Sequence, residues 1–187
     1  MKSRVACSVL MTAVFLAPWT WTARAMTTGV EPEHGTWTMA PGMPVPVTSQ
    51  QAVMLHDGRV LVLGGEMIPG LPVPWAELYD PSSRTWSAAE DMHEGRIAES
   101  VTVLRDGRVL VLGGINHKLR DLDATELFNP ATGAWSLLPS LPQARFSQSA
   151  SLLPDGRVLV VGGIVDGAIS RTTLLFDPSR ERFLPGP

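Results

Sequence analysis

Two histidines, His93 and His117, are the side chains of this chain best suited to proton transfer or to ligating a metal. Neither has the spacing of a known ligand set, so both are expected as solvated loop histidines and no metal or cofactor is assigned. Around them fall Glu94, Asn116, Lys118, Arg120, Asp121, Asp123, Asp166 and Arg171. Trp75, in "PVPWA", offers a flat apolar face for a sugar or a protein, or a cover for a strand edge. The calcium-loop pattern, the serine elbow, the Walker loop and the zinc-protease helix are absent from the sequence. No catalytic residue is assigned. The binding set expected from residue type and loop position is Trp75, His93, Asn116, His117, Asp121, Asp166 and Arg171.

The elements that must position them repeat. "DGRVLVLGG" begins at Asp57, recurs at Asp106 and returns at Asp155 as "DGRVLVVGG", each 49 residues after the last. Trp37, Trp86 and Trp135 share that phase, and one deletion brings Phe183 into it. A fixed period of this size marks a repeat architecture. Each unit reads as four short strands, a to d: "QAVML", "RVLVLGG", "AELYD" and "RTWS" in the first copy. Asp-Gly closes the a–b hairpin, with glycine supplying a positive φ. The diglycines Gly64–Gly65, Gly113–Gly114 and Gly162–Gly163 end strand b, where glycine implies close backbone approach or an unusual φ. Trp86, Trp135 and Phe183 in strand d are expected to pack between sheets. Arg96 and Arg145 recur in phase, which points to a scaffold role such as bonding loop carbonyls. With strands alternating in direction, the uniform a–b and c–d turns share one face. The divergent b–c loops (66–76, 115–124 and 164–171) and the d–a segments share the other, so the binding set belongs there.

Four antiparallel strands per unit at this period describe a propeller blade. The diglycine, the aromatic-Asp-Pro and the tryptophan at these offsets resemble kelch repeats. The form "DGRVLVLGG … LFNPATGAW" is similar to secreted bacterial kelch proteins and to the propeller domain of the galactose oxidase family. The resemblance implies an all-β, partial kelch-type propeller: three four-stranded blades (51–97, 98–146 and 147–187) and one extra d-type strand around Trp37 in the segment 26–50. It fixes fold better than activity, because such propellers host unrelated functions. Copper-radical chemistry would need tyrosine and histidine ligands and a Cys–Tyr crosslink. The chain outside its leader has no cysteine and one tyrosine, Tyr79, at the Asp-Pro position, so that chemistry is not expected.

Residues 1–25 read as a secretory signal: Lys2 and Arg4, an apolar run from Val5 to Pro18, and Ala23-x-Ala25. That run is short for a membrane span. Export is therefore expected, to a periplasm, a cell surface or the medium, and the lack of disulfides suits a bacterium. Without Lys2, Arg4 and Arg24, the 15 basic residues fall to 12 against 18 acidic, a net charge of −6. No basic cluster stands out, which argues against a nucleic-acid partner. Three blades cover about half a ring, since propellers have roughly four to eight. The chain is thus expected to be a piece of a longer product, with a ring closed by a second copy and an open wedge as alternatives. The expected function is an exported binding or scaffold module holding a protein or glycan. Its rivals are part of a carbohydrate-active enzyme, mutarotase- or lyase-like, and a structural segment of a surface protein.

Overall fold

The computed structural model describes residues 37–187, and the main compact unit runs from Met39 to Pro187. The expected signal at 1–25 and the start of the segment 26–50 lie outside the described residues. Blade 1 comprises β1 (Gln51–Met54), β2 (Val60–Leu63), β3 (Ala76–Asp80) and β4 (Thr85–Ala88). Blade 2 comprises β5 (Ser100–Val103), β6 (Val109–Leu112), β7 (Thr125–Asn129) and β8 (Ala134–Leu138). Blade 3 comprises β9 (Ser149–Leu152), β10 (Val158–Val161), β13 (Thr173–Asp177) and β14 (Arg182–Pro185). A small hairpin, β11 (Ile164–Val165) with β12 (Ala168–Ile169), interrupts blade 3 in its b–c loop and was not expected. Every blade is an antiparallel meander of neighbouring strands. The first strands sit together, β1 beside β5 and β5 beside β9, so they mark the hub.

Part of the expected strand around Trp37 lies outside the described residues. Residues 37–47 carry no strand, and the first pairing is a bridge from Thr48 to Glu66. Residues 39–47 lie along blade 1: Trp86 Nε1 donates to Pro41 O at 3.0 Å, as Trp135 Nε1 donates to Glu90 O at 2.7 Å. An indole N–H beside apolar packing needs such an acceptor.

The repeated nine letters each have a local task. Asp57 accepts from the backbone N–H of Arg59 at 3.1 Å and from its Nε at 2.9 Å, and the Asp106–Arg108 and Asp155–Arg157 turns do the same. Between them Gly58 holds φ at 87°. The diglycine serves the joint between blades. A Cβ on Gly113 would come within 2.3 Å of Arg145 O, and one on Gly114 within 2.8 Å of Ile97 O. The d–a segments on both sides press directly on this backbone, and Gly114 N–H donates to Arg145 O at 2.9 Å. Both positions also have positive φ, which glycine tolerates without strain.

Two apolar cores lie in the seams. Leu55, Leu61, Leu63, Leu78 and Met92 of blade 1 pack on Val109, Val111 and Phe128 of blade 2, with Trp135 beside them. Leu104, Leu110, Leu112, Leu127 and Leu141 then pack on Val158, Val160 and Phe176, with Phe183 beside them. The aromatic of strand c tilts against that of strand d in each blade, with centroids 5.0 Å apart. The outer faces of blades 1 and 3 have no blade against them among the described residues, so the ring is open. Val161 is 43% exposed where its counterparts Leu63 and Leu112 are 1% and 0% exposed.

Candidate functional site

The d–a segment after blade 1 and the b–c loop of blade 2 meet over the blade 1–blade 2 seam. Their meeting point is built on Glu126, the second residue of β7, which is fully buried. Arg96, also fully buried, donates from Nη2 to Glu126 Oε1 and from Nη1 to Gly113 O at 3.0 Å and Ala124 O at 3.3 Å. Its Nε donates to Glu94 O at 3.3 Å. Burial pushes the Arg96 guanidinium below its ordinary value, against the pull of Glu126, Glu99 and Glu94. Removing water from both charges is costly, and the paired geometry with its extra carbonyl acceptors offsets that cost.

Glu126 Oε2 receives two donors from His93: its backbone N–H at 2.8 Å and its Nδ1 at 2.8 Å. An ionised carboxylate only accepts, so Nδ1 carries the proton and the Nε2 lone pair of a neutral ring is left free. The His93 side chain is 47% exposed, which makes its imidazole an oriented acceptor at the surface. Glu94 Oε1 accepts from Asn116 Nδ2 at 2.6 Å. Asn116 Oδ1 in turn accepts from the backbone of Lys118 at 2.9 Å and Arg120 at 3.1 Å, which fixes the loop with Leu119 at φ 55°. The arrangement can hold a hydrogen-bond donor at His93. No cluster of three or more His, Cys, Asp or Glu able to hold a metal occurs among the described residues.

Of the expected binding set, the structure brings His93 and Asn116 to this centre. His117 is exposed on the 115–124 loop, with Asp121 half-buried near its end. Asp166, at the tip of the β11–β12 hairpin with φ 50°, and Arg171 are exposed on blade 3 and lie apart from it. Trp75 is half-buried and lines a narrow crevice with Met43, Val45, Val47 and Glu77, beside Val62 and Leu63 of the central strand β2 of blade 1. Sequence reading missed Glu126 and Glu99. Glu77 and Glu126 occupy the same strand-c position, and that in-phase carboxylate within an apolar strand was the available clue. Glu99, 4% exposed just before β5, has no hydrogen-bond partner for either oxygen, and burial raises its pKa to about 7. Reading by polarity also passed over the loop tips. Ile68, Leu119 and Ile169, one in each b–c loop, are 59%, 79% and 91% exposed.

A sequence model of the Kelch motif matches residues 48–93 and 98–142, two of the three repeats. The chain therefore carries kelch repeats, and its blades are those of a kelch-type β-propeller. Among solved structures it is similar to a fungal alcohol oxidase of the AA5 family in complex with copper, with a TM-score of 0.62 and 21% identity. That likeness covers 80% of this chain and 32% of the oxidase, so the chain spans about a third of that protein's length. A search of curated proteins finds no match. Tyr79 stacks on Trp86 in the place that Phe128 and Phe176 fill in the other blades.

Proposed function

We propose that the chain is part of an exported kelch-type module that holds a protein or glycan partner on its b–c and d–a face. Kelch repeats in general suggest an interaction or scaffold role, and the layout of residues 1–25 supports export. One observation carries the choice of face: three b–c loops of unrelated sequence each lift an aliphatic side chain into solvent, Ile68, Leu119 and Ile169. Exposed apolar side chains repeated at the tip of every b–c loop offer contact points for a partner's apolar surface. The turns of the opposite face repeat, and their arginines already pair with Asp57, Asp106 and Asp155. Aliphatic tips favour a protein partner over a glycan, which aromatic faces would serve better. The rival reading, part of a carbohydrate-active enzyme, draws on the oriented His93 ring.

A photo-crosslinker placed at Ile68, Leu119 or Ile169, and at Ser82, Ala131 or Ser179 on the turn face, tests the reading in the exporting cell. Adducts from the loop positions alone support it. Adducts from the turn face, or from neither, overturn it. Serine at the three tips should change stability by no more than about 0.5 kcal/mol each.

A further inference from the structure

Arg145 holds at the blade 2–blade 3 seam the position that Arg96 holds at the blade 1–blade 2 seam, 49 residues earlier. Both bury their side chains, and both donate from Nη1 to the first glycine of the diglycine, Arg145 to Gly162 O at 3.1 Å and Arg96 to Gly113 O at 3.0 Å. They differ in what neutralises them. Glu126, opposite Val111 in the strand register, pairs with Arg96. The residue opposite Val160 at the matching place is Leu174. His93, which covers Glu126, is matched by Pro142. Arg145 is 1% exposed, yet its only further acceptor is Thr172 Oγ1 at 3.4 Å, its Nε has no partner, and no carboxylate pairs with it among the described residues. Burial alone pushes its guanidinium below the ordinary value. An arginine does not shed its proton to escape such a place, so a full positive charge stands there without a counter-charge. Arg145 also lines a cleft whose walls include Pro142, Leu174, Phe183 and Leu184.

We propose that this cleft binds a small carboxylate, whose anionic group takes toward Arg145 the role that Glu126 plays toward Arg96, with a ring-sized body against Pro142 and Phe183. The chain supplies its own template, because the same guanidinium position one blade away is satisfied by a carboxylate. A planar carboxylate also matches the guanidinium fork. The site uses none of the loop tips and stands whether or not that face docks a partner.

Calorimetric titration of the full chain with benzoate and with glucuronate, against benzamide and glucose as neutral counterparts, tests it. At least one acid should bind with a millimolar or tighter Kd, and its neutral counterpart at least about tenfold more weakly. Arg145→Gln should weaken that binding about tenfold or more. Leu174→Glu provides the decisive control: the new carboxylate should satisfy Arg145 from within, keep the fold by circular dichroism and abolish binding. Binding of neither acid, equal binding of the neutral counterpart, or unchanged binding in Leu174→Glu overturns the proposal. So does failure of Leu174→Glu to fold, since a carboxylate beside this arginine must be tolerated.

Discussion

Replacing Glu99 by glutamine should free the blade 1–blade 2 seam from pH. The repeat contains its own control, because Gln148 occupies the same place at the next seam. There, Nε2 donates to Leu112 O at 2.7 Å and to Ser100 Oγ at 3.2 Å. A carboxylate in that place can donate only when protonated, and ionised Glu99 has no donor for either oxygen. Its Oε1 lies so close to Gly64 that a Cβ there would sit 2.5 Å away. Arg96 is the cation that opposes the shift, but Glu126 and Glu94 share its charge. Glu99 is thus held at a pKa of about 7 against an ordinary 4.5. A raised carboxyl stabilises the fold fully below its unfolded value, and that contribution is lost as pH rises through the folded value. At ~1.4 kcal/mol per pH unit the loss by about pH 8 approaches about 3 kcal/mol. Urea unfolding followed by tryptophan fluorescence, at several pH values from about 4 to about 8, measures it. Glu99→Gln should exceed the parent by about 1–3 kcal/mol at the alkaline end and converge with it near pH 4. Parallel curves for the two proteins, or a variant weaker at every pH, would refute the reasoning.

Two further outcomes follow from the same joint. Glu126→Gln leaves Arg96 buried without its counter-charge and should cost about 3–5 kcal/mol in urea unfolding, a loss that Arg145→Gln should not reproduce because Arg145 has no ion pair to lose. Gly64→Ala would drive a Cβ within 2.9 Å of Arg96 O at φ 65°, whereas Gly58→Ala meets open space at φ 87°. The first should therefore cost about 1–2 kcal/mol more than the second by the same assay.

The sequence by itself determined the repeat, the four strands of each blade, the Asp-Gly-Arg turn and the need for glycine after strand b. All are local or periodic: hydrophobic pattern, turn chemistry and φ preference act over a few residues, and three copies reinforce one another. It did not determine the course of residues 39–47, which run along blade 1 and lend Pro41 O to Trp86. Nor could it separate Arg96 from Arg145. The two match in phase, and the difference that decides their charge balance lies about 30 residues onward, in Glu126 against Leu174. Which buried charge is neutralised depends on what the fold places across a seam, because ion pairing acts over ångströms in space and carries no trace in local periodicity. The same holds for Glu99, an unremarkable glutamate in the chain whose carboxyl is pushed up only once the fold buries it beside Gly64.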